Sequence, residues 1–222
     1  KNFYTYGLSK QSNFIIENVI QNKSYSKFDV KIKIPGKTKI IKNIIIPLLG
    51  LHNIKNTTSA LAVAFSIGVP DRLIKLGLKS FKGVERRFNY LFKKNNVPFF
   101  DDYAHHPTEI LSVLDGVKKV YKDEKIVCIF QPHRISRLRS LKRKFTKCFK
   151  KANTIILCPI YKAGENFKLG FSYESFAKQI IRNSEVNLIM IKNELDLKKI
   201  VKNLAYGNKI FIAMGAGSIS SW

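Results

Sequence analysis

Histidine and arginine side chains cluster directly after predicted strands. The segment that follows Phe100 has the sequence DDYAHHPTE over 101–109, and the segment that follows Phe130 has the sequence QPHR over 131–134. Imidazole and guanidinium groups bind carboxylates and phosphates through charge-assisted hydrogen bonds. These residue types therefore predict a site for an anionic ligand.

The elements that must position these residues alternate between strand and helix. We predict strands at 88–92, 97–100, 126–130, 154–157, 187–191 and 209–213, and helices at 108–120, 136–149, 173–181 and 196–201. Repeated strand-helix units form a mostly parallel sheet with helices on its faces. Ligands of such sheets bind outside the carboxyl ends of the strands, so the His and Arg segments are expected at one edge.

The first 80 residues have a different pattern. Strands are predicted at 4–6, 14–20, 28–34 and 39–46, and helices at 53–67 and 71–78. The fold class is thus α/β with two domains, 1–80 and 81–222, and the boundary is expected at 80–83. Gly36-Lys37-Thr38 resembles the end of a phosphate-binding loop, but Lys31 stands where that motif needs its first glycine. We interpret it as a hairpin turn.

A metal site is the first alternative for the acidic and imidazole groups of 101–109. Asp101, Asp102, His105 and His106 are suitable ligand types, but adjacent residues in a turn rarely all point inward, and helical ligand spacing is missing. We predict no metal ligands here. The pair Arg86 and Arg87 and the arginines after 133 favour a nucleotide or phosphate instead.

His52, Asn53 and Asn56 lie at a predicted loop-to-helix junction. Asn53 is a suitable helix N-cap, which is the structural interpretation. Asn amides also match the edge of a purine, because they donate and accept hydrogen bonds at once. The spacing does not separate these alternatives.

The net charge of +25 suggests a nucleic-acid-binding module, but its distribution argues for background composition. Lysines make up most of the excess and are spread along the chain, whereas six of the eight arginines fall at 86–87 and 134–143. The three cysteines lack CxxC spacing, and apolar runs are too short to cross a bilayer. We expect a cytoplasmic protein without membrane insertion.

Read together, these segments resemble the Mur ligases, most closely the type that adds L-alanine. Six stretches carry the resemblance in order along nearly the whole chain: GLHNIKN (50–56), GVERRF (83–88), DDYAHHPTE (101–109), FQPHRISR (130–137), AGE (163–165) and GAG (215–217). The chain departs from the family pattern at Asn166–Leu169 and at Ser218.

The resemblance implies an ATP-dependent ligase of peptidoglycan synthesis that joins L-alanine to UDP-N-acetylmuramate through an acyl phosphate. It implies that 1–80 is the last part of a central ATPase domain, and that 81–222 is a Rossmann-like C-terminal domain. The phosphate-binding loop, the UDP-binding domain and most Mg²⁺ ligands would then lie outside this sequence. We expect 1–222 alone to be inactive.

The resemblance also implies roles for individual residues. The ATP contacts would be His52, Asn53, Asn56, Arg86, Arg87 and Asp102. The catalytic group would be His105, His133 and Arg134, and the substrate-binding residues would be Tyr103, His106 and Arg137. Two alternatives remain open, namely a Mur ligase for another amino acid and a basic nucleic-acid-binding module. The sequence does not specify the oligomeric state.

Overall fold

The computed structural model describes residues 3–81, 83–165 and 171–222. The chain forms two compact units that divide between Gly83 and Val84. Asn166–Leu169 lies outside the described residues.

The first unit contains four strands followed by two helices. They are β1 (Tyr6–Gly7), β2 (Phe14–Gln21), β3 (Ser26–Ile34), β4 (Lys37–Ile46), α1 (Leu51–Ser66) and α2 (Asp71–Ser80). The sheet has the order β1-β2-β3-β4, in which β1 and β2 are parallel and the other pairs are antiparallel.

Alternation of apolar and polar residues determines which face of this sheet is buried. Phe28, Val30 and Ile32 of β3 are fully buried and pack with Ile54 and Leu61 of α1. Their spacing of two places every second side chain on the helix-covered face. The turn between β3 and β4 contains Gly36 at a φ of 72°, which confirms the hairpin interpretation of this segment.

The second unit alternates strands and helices. Its elements are β5 (Asn89–Lys94), β6 (Val97–Asp102), α3 (Pro107–Val120), β7 (Lys125–Phe130), α4 (Ile135–Ser140), α5 (Lys142–Phe145), β8 (Thr154–Leu157), α6 (Tyr173–Ser184), β9 (Asn187–Met190), α7 (Glu194–Leu204) and β10 (Lys209–Met214). A 3-10 helix follows at Ser218–Ser221.

The six strands form one sheet in the order β5-β6-β10-β7-β8-β9. Only the pair β5–β6 is antiparallel, and the register of β10 aligns Met214 with Asp102 on one side and with Phe130 on the other. The carboxyl ends of β6, β10 and β7 are therefore level. The predicted α/β class and mostly parallel sheet are confirmed.

Helices cover both faces of this sheet. Val127 and Ile129 of β7 belong to a buried cluster with Leu197 of α7. On the opposite face, the ring of Phe130 contacts Phe145 and Phe149, at centroid distances of 6.0 and 5.1 Å. Burial on both faces explains why β7 is an almost continuous apolar run.

The predicted helix at 136–149 is wrong in its extent. The chain instead forms α4 and α5, which are interrupted at Leu141, and continues in turns after Phe145. The buried residues Leu138, Phe145 and Phe149 are seven and four positions apart, which is also the spacing of a continuous helix. No Gly or Pro signals the interruption.

Candidate functional site

The end of β6 contributes two buried carboxylates to the candidate site. Asp102 is 1% exposed, and its oxygens accept hydrogen bonds from the backbone amides of Ala104 (2.7 Å) and Phe88 (2.9 Å). Burial raises the pKa of Asp102 to about 6, although both hydrogen bonds and the charge of Arg87 lower it. Its carboxylate therefore connects the backbone just before β5 with the backbone just after β6.

Arg86 connects three parts of this edge. Its Nε lies 3.3 Å from Asp101 Oδ2, its guanidinium lies 4.8 Å from the ring centroid of Tyr103, and its Nη2 donates to the Gly215 carbonyl. Burial raises the pKa of Asp101, and the charge of Arg86 opposes this shift. Arg87, in contrast, is exposed. Of the two predicted phosphate contacts, Arg86 has contacts within the fold, although its Nε and Asp101 Oδ1 are buried and make no hydrogen bond in the described residues.

The DDYAHHPTE segment turns from β6 into α3. The His105 ring nitrogen Nδ1 lies 2.9 Å from the Tyr103 carbonyl, and the two rings meet edge to face. His106 is the N-cap of α3: its Nδ1 accepts a hydrogen bond from the Thr108 amide, and the Glu109 carboxylate accepts from the His106 amide. The substrate-binding role of His106 stays a prediction, since the structure gives this residue a capping role.

His133 lies between two aromatic rings at the end of β7. Its ring centroid is 5.8 Å from that of His105 and 5.4 Å from that of Tyr161, on which it stacks. Burial, followed by the charges of Arg137, His105 and Arg134, lowers the pKa of His133. The imidazole is therefore neutral at neutral pH and can accept a proton.

Two arginines follow His133 along the chain. Arg134 is exposed, and Arg137 is half-buried. Arg137 Nη1 is buried and makes no hydrogen bond within the described residues, and the same is true of His133 Nδ1. Buried donors are normally paired, so an unpaired guanidinium nitrogen beside His133 is suited to an anionic ligand.

Three residues that shape this edge were assigned no role from the sequence. Gln131 Oε1 accepts from the Ile219 amide, and its Nε2 donates to Ser218, which ties β7 to the turn after β10. Tyr161 stacks on His133, and Glu165 accepts hydrogen bonds from Ser136. Gln131 and Tyr161 lie one and four residues after a strand, whereas Glu165 lies eight residues after β8. Gln131 and Glu165 also belong to the FQPHRISR and AGE stretches, so the sequence did contain a signal for them.

The remaining predicted residues lie in the first unit. Gly50, at a φ of 91°, is the N-cap of α1, so the interpretation of Asn53 as the cap is wrong. Asn53 is instead buried inside the first turn, where its amide donates to the Leu49 carbonyl at 2.7 Å. Asn56 is exposed and His52 is half-buried. Their adenine-side role stays a prediction.

The described part of the chain contains neither a metal-binding cluster nor a helix that could cross a membrane. Within it, no group of three or more His, Cys, Asp or Glu side chains is placed to hold a metal ion. Across the same residues, no helix combines the length and apolar composition that crossing a bilayer requires.

Comparison with known proteins identifies relatives for the whole chain. The family described as Mur ligase, glutamate ligase domain, matches residues 86–217. A UDP-N-acetylmuramate–L-alanine ligase of Pelagibacter ubique is 56% identical over 223 residues, which cover all of this chain and 48% of that protein. One from Agrobacterium fabrum is 39% identical over 98% of the chain and 46% of its own length.

Solved structures have the same fold. The UDP-N-acetylmuramate-alanine ligase MurC of Thermotoga maritima superposes with a TM-score of 0.79 at 26% identity, over 98% of this chain and 45% of that one. A murein peptide ligase from Psychrobacter arcticus superposes with a TM-score of 0.64 at 23% identity, over 98% of this chain and 44% of that one. The chain spans about half the length of the relatives it matches.

Proposed function

Because this chain belongs to the Mur ligase family, we propose that it is part of an ATP-dependent ligase that joins L-alanine to UDP-N-acetylmuramate in peptidoglycan synthesis. The observation that carries the proposal is the 56% identity to a ligase of that name over the full length of the chain. The chemistry of the edge after β7 is consistent with it, since both the carboxylate of an amino acid and an acyl phosphate are anions.

We assign the carboxylate of L-alanine and the acyl phosphate to Arg134, Arg137 and His133. Arg137 supports this assignment because its buried Nη1 has no hydrogen-bond partner in the described residues. A guanidinium binds a carboxylate through two parallel hydrogen bonds, which fixes the orientation of the amino group. A neutral His133 is suited to accept a proton from that amine as it attacks. His105 and Tyr103, which contact each other, complete this group.

ATP, with Mg²⁺, would supply the phosphoryl group that activates the muramoyl carboxylate. Exposed Arg87 fits a phosphate contact better than Arg86, whose guanidinium already contacts Asp101 and Gly215. Asp102 is 1% exposed and its carboxylate accepts from the Phe88 and Ala104 amides, so a contact with a ribose would require the backbone around it to move. Asn53 is likewise engaged with Leu49, which leaves Asn56 as the exposed amide on α1.

The proposal is tested with the complete gene product that contains this sequence. We expect phosphate release from ATP that requires both UDP-N-acetylmuramate and an amino acid, with the highest kcat/KM for L-alanine. The panel includes glycine, L-serine, D-glutamate and diaminopimelate, so that it also tests a ligase for another amino acid. Preference for an acidic or dibasic amino acid would contradict the proposal. Residues 1–222 alone are expected to release no phosphate.

A further inference from the structure

The helix that carries Arg137 begins without a cap of its own. Arg134 occupies the N-cap position of α4 with a φ of 65°, and its side chain makes no capping hydrogen bond. A left-handed backbone at a residue other than glycine costs about 1 kcal/mol or more and needs support from its surroundings. The first amides of a helix also need acceptors from elsewhere.

The segment 158–165, which we call the β8 loop, supplies this support. The Tyr161 amide donates to the Pro132 carbonyl at 2.8 Å, and the Tyr161 carbonyl accepts from the Arg134 amide at 2.9 Å. Tyr161 and His133 therefore pair as an isolated parallel bridge while their rings stack. The β8 loop thus fixes the backbone on both sides of His133.

Glu165 completes the contact four residues later. One carboxylate oxygen accepts from the Ser136 amide at 3.1 Å, and the other accepts from the Ser136 hydroxyl. The hydroxyl contact has the largest effect in lowering the pKa of Glu165, and the backbone amides of Ser136 and Ile135 and the charge of Arg134 lower it further. An ionised carboxylate therefore caps α4 from a different loop.

We propose that Glu165 is a positioning residue, which caps α4 through Ser136 and so orients Arg134 and Arg137 toward the carboxylate of the incoming amino acid. The inference rests on the proposed function, because it assigns the amino acid to these arginines. Ser136 lies between the two arginines in sequence, so movement of its amide changes the start of the helix that presents both. Glu165 itself need not contact the substrate.

The experiment compares four single variants of the complete protein with the wild type. We expect Glu165→Ala to raise the KM for the amino acid about tenfold, because a helix start that has lost its cap must be ordered again when the amino acid binds. The kcat and the KM for ATP should stay within about twofold of the wild-type values. Glu165→Gln should return the KM for the amino acid to within about threefold of the wild-type value, because the glutamine side-chain oxygen can still accept from the Ser136 amide. Ser136→Ala should fall between these two.

Glu174→Ala is the matched control, because it removes an exposed carboxylate from the first turn of α6. It should leave the KM for the amino acid unchanged. An unchanged KM in Glu165→Ala, or a parallel loss of kcat, ATP affinity and thermal stability without rescue by Glu165→Gln, would overturn the positioning role. If the wild type is inactive with L-alanine, the proposed function fails as well, whereas an active wild type with an unaffected Glu165→Ala variant refutes the positioning role alone.

Discussion

The two ends of the candidate site use the same kinds of charged residue in opposite ways. Beside β6, Arg86, Asp101 and Asp102 contact one another or the backbone, and both carboxylates are almost completely buried. Beside β7, Arg134 is exposed, and Arg137 keeps a buried donor that has no hydrogen-bond partner in the described residues. The β6 charges oppose each other within the fold, although Arg86 Nε and Asp101 Oδ1 are also buried without a hydrogen bond in the described residues. We propose that the β7 arginines are the ones that contact a ligand.

The difference shows that clustering of charge in the sequence does not by itself identify binding residues. Arg86 follows the predicted domain boundary at 80–83, Arg134 follows the predicted strand at 126–130, and both have positive φ values, 59° and 65°. Only the structure shows that Arg86 has a carboxylate, a ring and a carbonyl around it. Changes on the β6 side should therefore affect mainly stability, and changes on the β7 side mainly substrate binding.

The largest expected effect is on the stability of the β6 side. Asp102→Ala removes the acceptor of two backbone amides, and each unpaired buried donor costs about 1–3 kcal/mol, so we expect a loss of about 4 kcal/mol. Urea unfolding of the chain, followed by the fluorescence of its single tryptophan, Trp222, measures this change. Exposed Asp123→Ala is the control. A loss below about 1 kcal/mol would mean that Asp102 is not a structural residue.

On the β7 side, the main effect should be on affinity. Arg134→Ala is expected to weaken binding of the amino acid by about 2–4 kcal/mol if the bound substrate buries the guanidinium, because the substitution then removes one partner of a buried charge pair. The unfolding free energy should change little, since the side chain is exposed. Steady-state kinetics of the complete protein, with Arg143→Ala as the exposed control, measure the KM. Unchanged affinities for L-alanine and for UDP-N-acetylmuramate would exclude Arg134 from the site.

The pH dependence of stability provides a third test, again on the β6 side. The folded-state pKa of Asp102 is about 6, above the value of 3.8 for an unperturbed carboxyl group, so the folded state binds more protons between these pH values. The stability that Asp102 contributes is therefore greatest below pH 4 and is lost as the pH rises through 6, by about 3 kcal/mol. Asp102→Asn should remove this part of the decrease, as urea unfolding at each pH would show. If the two pH profiles are parallel, the pKa of Asp102 is not raised.

Much of the second unit was predictable because its strands are buried on both faces. The predicted strands at 126–130 and 154–157 agree with β7 and β8 to within one residue, since continuous apolar runs leave little choice of boundary. Helix ends were harder to predict. Gly50 rather than Asn53 caps α1, and nothing in the sequence around Leu141 indicates that the helix stops there.

The site was predictable as a location but not as a set of contacts. Strand ends placed His105 and His133 at one edge, and the structure brings their rings to 5.8 Å. Arg86 contacts Asp101 and also Gly215, which is 129 residues away in the sequence. These contacts depend on the order of the strands in the sheet. That order places β10 between β6 and β7, which local sequence patterns do not specify.

The smallest expected effect comes from Gly217, which lies where the two sides meet. A methyl group at this position would come within 2.6 Å of the Tyr161 ring and would also meet the Gln131 side chain. Because Tyr161 stacks on His133, we expect Gly217→Ala to lower stability by about 1 kcal/mol and to raise the KM for the amino acid severalfold. Gly77→Ala in α2 is the control: it has open space around it and should raise stability by up to about 1 kcal/mol. If Gly217→Ala changed stability but not KM, the packing of Tyr161 would belong with the structural residues of the β6 side, and the division between the two sides would have to be redrawn.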